Sequence, residues 1–153
     1  MSKNENEYNG KPMNKPVQSI PAGYDSVIPY LIVRNAAKAI EGLQAASAYE
    51  LGQAPPLMPA SMYPVYVRGQ VYLKVGQGQQ AAAEFQKIVD HPGVVLNFPL
   101  GALAHLGLGR AYALAGDKVK ARRAYQDFLA LWRDADADIP ILKQANADYK
   151  QLG

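Results

Sequence analysis

The chain matches itself at an offset of 40 residues: Gly69 falls on Gly109, Tyr72 on Tyr112, Gly76 on Gly116, Ala81 on Ala121 and Phe85 on Tyr125. Five ordered matches at one offset mean that two segments build the same local structure. Each position has a steric reason. Gly69 and Gly109 let the first helix of a pair approach the second, and Ala81 and Ala121 allow the same approach from the other side. The aromatics Tyr72, Phe85, Tyr112 and Tyr125 fill the space between the helices. Gly76 and Gly116 end the first helix in the left-handed conformation that glycine adopts without strain. The unit is therefore a helix-turn-helix hairpin, and stacking on a neighbour buries the apolar face it cannot cover alone.

The surrounding sequence extends this reading. Residues 1 to 23 are rich in Asn, Lys, Glu and Gly, and Pro12, Pro16 and Pro21 leave no room for a helix. We expect residues 1–35 to be an extended or disordered tail with one strand candidate, Val27 to Val33, whose ladder partners the sequence does not supply. From Ala36, the apolar residues Ala37, Ile40, Leu43, Ala46 and Leu51 recur at helical spacing until Gly52 and Pro55. Further helices are expected over about Ser61–Val75, Gln79–Asp90, Pro99–Ala115 and Asp117–Arg133, with a loop at His91, Pro92 and Gly93. Asp117 is the expected N-cap of the second copy's second helix, and Asp138 that of a last helix starting near Pro140. Two repeats fall short of the roughly three normally needed for stability. The helices at 36–51 and 139–151 are therefore expected to cap the array, making 36–153 one all-α domain.

The order of residues within each copy resembles the tetratricopeptide signature. The copies depart from it at Val65 and His105, where the family's first aromatic is expected, and at Arg68, where Leu108 fits. The spacing of 40 exceeds the family's usual length of about 34, the excess falling in HPGVVLNFPLG between the hairpins. Over residues 37 to 150 the chain also looks like the C-terminal tetratricopeptide region of bacterial serine/threonine protein kinases, through YPVYVRGQVYLKVGQGQQAAAEFQKIVDHPGVVLN and the tail DADADIPILKQA. The kinase's Gly-rich loop, catalytic Asp motif and Asp-Phe-Gly are absent. The first 40 residues, through PVQSIPAGYDSVIPYLIVRNAAKAIE, resemble the opening of the glyoxalase and bleomycin-resistance family. Both resemblances share AKAIE, which implies a chimeric join at residues 36 to 41. No metal site carries over, because Asp25 stands where relatives often have His.

The motifs that suggest chemistry have simpler explanations. Asp134, Asp136 and Asp138 alternate like the start of a calcium loop, but Ile139 replaces the required Gly and Ala145 the bidentate Glu. Gly76 with Gly78, and Gly107 with Gly109, lack a third glycine in register and a preceding strand. His91 and His105 have no Ser or carboxylate at a suggestive spacing. Lys118, Lys120, Arg122 and Arg123 cluster, but Asp117 and Asp127 dilute them into a solvated helix face. The chain has no cysteine, which excludes disulfides and thiolate chemistry and fits a reducing, cytoplasmic compartment.

These observations lead us to expect an interaction module with no enzymatic activity, cofactor or metal. In tetratricopeptide arrays the first helix of each hairpin lines a concave surface. By that resemblance Tyr63, Tyr66, Gln70 and Lys74 from one copy, with Leu103, Leu106 and Arg110 from the other, would bind a protein or peptide. With 16 basic against 13 acidic residues, the net charge of +3 is too even for nucleic acid or an anionic membrane to be the partner. No stretch approaches the roughly 18 apolar residues of a membrane span, and the first 15 residues lack a signal peptide's apolar core. A homodimer formed by stacking is open to an array with exposed ends. The alternative is a truncated or chimeric glyoxalase-like metal-dependent lyase or resistance protein, which needs further strands and ligands. A third reading is a fragment or fusion with no function of its own.

Overall fold

The two turn glycines adopt the same left-handed backbone, with φ of 78° at Gly76 and 83° at Gly116. Each closes its helix with the same pair of hydrogen bonds: Gln77 N donates to the Tyr72 carbonyl and Gly76 N to that of Leu73, while Asp117 N and Gly116 N donate to Tyr112 and Ala113. The computed structural model describes residues 35–51, 62–96 and 98–153. The expected tail, the strand candidate at Val27 to Val33 and the prolines from Pro55 to Pro59 lie outside them.

Among the described residues the chain is helical and contains no strand. Helix α1 spans Ala36–Gln44, α2 Tyr63–Lys74, α3 Gly78–Asp90, α4 Pro92–Val95, α5 Leu100–Leu114, α6 Lys118–Leu131 and α7 Pro140–Gln151. A short 3-10 turn at Ser47–Tyr49 follows α1. Helix α2 packs on α3, and α5 on α6, forming two hairpins joined by the packing of α3 against α5. Helix α1 rests on α2, and α7 on α6, at the two ends.

Three expectations are corrected. The helix expected to run from Ala36 to Leu51 stops at Gln44, since none of its residues is buried and little packing holds its second half. The expected loop at His91 to Gly93 enters α4, which Pro92 can start because its missing N–H costs nothing there. Ile139, not Asp138, is the N-cap of α7 and makes no side-chain cap bond. Asp117 does cap α6, its carboxylate accepting from Lys120 N at 3.0 Å.

The join between the hairpins depends on one ring. Phe85 on α3 is fully buried. A Cβ at Gly69 on α2 would lie 2.8 Å from that ring, and so would one at Gly107 on α5. Two glycines from different hairpins thus form a socket for one aromatic, and Tyr66 closes it edge-on with centroids 5.6 Å apart. Tyr125 repeats half of this arrangement, with its ring 2.8 Å from a Cβ placed at Gly109. Gly78 meets α5 as closely, since a Cβ there would sit 2.7 Å from the Ala111 carbonyl oxygen.

The N-terminal end is held differently. Arg68, where the second copy has Leu108, is buried and donates through Nη1 to the Leu43 carbonyl at 2.9 Å. Its Nη2 donates to Glu84 on α3 and lies 2.6 Å from Glu50, just after the 3-10 turn. Lys87 Nζ sits 3.2 Å from Glu84, so two cations face two carboxylates. Burial disfavours the charged guanidinium, but the bonded Glu84 carboxylate and the nearby Glu50 carboxylate outweigh it and raise the Arg68 pKa. Glu84 lies at the offset of Ala124, so a buried ion pair in the first hairpin replaces the buried Leu108 and Ala124 of the second.

The socket predicts opposite outcomes for two glycines of α5. Gly107→Ala is expected to lose about 1–3 kcal/mol by forcing a methyl into the Phe85 ring. Gly101→Ala, whose Cβ would meet only Val95 Cγ1 at 3.5 Å, is expected to gain up to about 1 kcal/mol from helix propensity. Urea denaturation of the two variants measures both.

Candidate functional site

The expected site residues come from the first helix of each hairpin, spaced so that one side of α2 and one side of α5 contribute. Tyr63 is half-buried and its ring centroid lies 6.5 Å from that of Tyr66. Tyr66 itself is buried, its ring serving the Phe85 socket, so it is not open to a partner as expected. Gln70 is half-buried and acts on the Tyr66 hydroxyl, while Lys74 is exposed at the end of α2. On α5, Leu103 is half-buried against the first core cluster. Leu106 does not reach the surface: it is buried with Phe128 and Leu142 in the second cluster. Leu142 of α7, the helix expected to cap this end, is part of that cluster.

Arg110 is the centre of the constellation. Its Nε donates to Asp148 Oδ2 on α7 at 3.1 Å, with both side chains partly open to solvent. The same Asp148 oxygen accepts from the Tyr125 hydroxyl at 3.5 Å, and its other oxygen accepts from Gln144 Nε2 at 2.7 Å. Helices α5, α6 and α7 are therefore tied by a carboxylate with three donors. The Arg110 charge acts on both the Tyr66 and the Tyr125 phenol.

Burial pushes the Tyr66 phenol up to about 12, with the Arg110 charge and the Gln70 amide acting the other way. Burial, aided by the Asp148 carboxylate, likewise pushes Tyr125 up to about 12 against the opposing effect of Arg110. Both phenols remain neutral hydrogen-bonding groups well above physiological pH. His105 lies at the offset of Val65. Its Nδ1 is 4.0 Å from Asp127 Oδ2, and burial lowers its pKa despite that carboxylate.

Asp148 and Gln144 were not among the residues expected at this surface. Asp148 is one further offset beyond Leu108, so carrying the repeat register into the last helix is the signal that finds it. Arg122, expected on a solvated face, instead donates to the Gly153 oxygen at 2.7 Å and lies 5.6 Å from the Tyr149 ring centroid. The exposed Asp134, Asp136 and Asp138 do not converge, and no three His, Asp or Glu side chains gather as metal ligands among the described residues. No helix among those residues is long and apolar enough to cross a membrane.

No family model, curated protein or solved structure matches this chain. The side chains themselves therefore carry the functional argument. The row has no nucleophile paired with a base. This surface presents the Gln70 amide, the Tyr63 phenol and the Arg110 guanidinium, the last held by Asp148.

The two raised phenols predict alkaline destabilisation. Below pH 10 both are neutral in the folded and unfolded chains, and stability is full. As pH rises from about 10 to about 12 only the unfolded phenols ionise, and each should cost up to about 1.4 kcal/mol per pH unit. Tyr66→Phe and Tyr125→Phe should each flatten this slope in denaturation curves recorded across that range.

Proposed function

We propose that this chain is a tetratricopeptide-like interaction module that binds a protein or peptide segment across Tyr63, Gln70 and Arg110, with Asp148 completing the surface. The observation that supports this reading most is the convergence on Arg110, a partly exposed guanidinium of α5 held at 3.1 Å by the Asp148 carboxylate of α7. Arg and Tyr are the side chains that most often anchor bound partners, because they combine a large contact area with directional hydrogen bonds. An Arg fixed through its Nε loses less freedom on binding than one that must first be ordered. The shared 40-residue offset, the turn glycines and the glycine-aromatic packing are the features that favour the tetratricopeptide-like description.

Peptides selected by display on the immobilised full chain test this reading. Tyr63→Ala and Arg110→Gln are each expected to weaken a selected peptide by about tenfold or more in fluorescence anisotropy. Val119→Ala, at a side chain 82% exposed on α6, is expected to leave affinity unchanged. A selection that yields no peptide, or peptides indifferent to Tyr63 and Arg110, would overturn the proposal.

A further inference from the structure

We propose that residues 36–50 form a strap that detaches from α2 as one unit while the two hairpins stay folded, with the contact between Glu50 and Arg68 as its latch. Four observations support this. First, α1 contributes no buried residue and rests on α2 alone among the elements with substantial packing. A helix of nine residues without such packing is marginal in water. Second, apart from Ile40, which is half-buried against the core, the strap is fastened by polar contacts. Arg68 Nη1 donates to the Leu43 carbonyl at 2.9 Å, Gln44 Nε2 donates to the Tyr72 hydroxyl at 3.3 Å, and Glu50 Oε1 lies 2.6 Å from Arg68 Nη2. Water can replace each of these, which it cannot do for a buried apolar interface.

Third, the fastening is poorly satisfied even when closed. Arg68 Nε is buried without a hydrogen-bond partner, and Glu50 Oε1 also lacks one of good geometry despite its closeness to Nη2. Opening hydrates both groups. Fourth, comparison of the two copies shows what a permanent interface uses instead. Where the second hairpin stacks on the first, Leu108 and Ala124 are buried in the shared core. Under the strap, Arg68 and Glu84 occupy those positions. When the strap leaves, Arg68 keeps its bond to Glu84 and enters water as a paired charge, whereas leucine there would be left as an exposed apolar patch. Opening bares the Arg68 and Tyr72 side of α2, the side by which a repeat of this kind meets its N-terminal neighbour.

Hydrogen exchange on the full chain, followed by mass spectrometry, tests the strap. Amides of residues 36–50 are expected to exchange together and at least about tenfold faster than those of α3, α5 and α6. Glu50→Gln removes the one strap carboxylate paired with Arg68 and leaves the bond from Arg68 to Glu84 in place. It is expected to speed strap exchange by about a further tenfold, with α5 and α6 unchanged. The proposal fails if the strap exchanges only at the rate of the hairpins, if Glu50→Gln accelerates every helix equally, or if that variant leaves strap exchange unaltered.

Discussion

Everything in the stacked part of the molecule depends on the absence of two side chains. Phe85 reaches from the second helix of one hairpin into space that Gly69 and Gly107 leave empty, one glycine from its own hairpin and one from the next. Because the ring needs both, the packing that closes the first hairpin is inseparable from the packing that stacks the second on it. This is cooperativity at the scale of a single residue, and it couples the two described hairpins through a shared cluster. The face that carries Tyr66, Gln70 and Arg110 is aligned by the same socket, since Tyr66 is also the edge-on neighbour of Phe85.

The two ends of the array are treated in opposite ways. At the C-terminal end α7 supplies Leu142 and Ala145 to a second core cluster and Asp148 to a polar knot, so it is bound by both apolar burial and charge-assisted hydrogen bonds. At the N-terminal end α1 supplies no buried residue, and a buried guanidinium mediates the contact. Buried ion pairs give little net stability when compared with apolar residues of similar size. The asymmetry between Leu108 and Arg68 is therefore also an asymmetry in how firmly each neighbour is held.

The sequence alone disclosed the features that are local. Gly76 and Gly116 marked the turns because a left-handed residue closing a helix is a one-residue signal, and α2, α3, α5 and α6 followed from periodicity between those turns. Features that depend on distant partners stayed hidden. Arg68 was visible as a departure from the repeat, but its carboxylates are 18 residues before it and 16 after it, and no short pattern links them. The paired departures at 68 and 84, opposite in charge and both set against apolar residues at the same offset, were the available clue. Leu106 and Tyr66 were assigned to the binding face because first helices line it. Their burial depends on α7 and on the Phe85 socket, neither of which a single helix's periodicity can report.

Tyr149 bears on how α7 departs from the repeat. Carried into α7, the 40-residue register places Tyr149 where the two hairpins have Gly69 and Gly109, and its ring lies against Tyr125 with centroids 6.3 Å apart. The vacancy that lets an aromatic from a second helix approach is filled from within. Helix α7 thus lacks the glycine against which Phe85 and Tyr125 seat, and a tyrosine also blocks the close approach of another backbone. The 40-residue register meets a tyrosine in α7 where α2 and α5 carry the glycine that seats an aromatic ring.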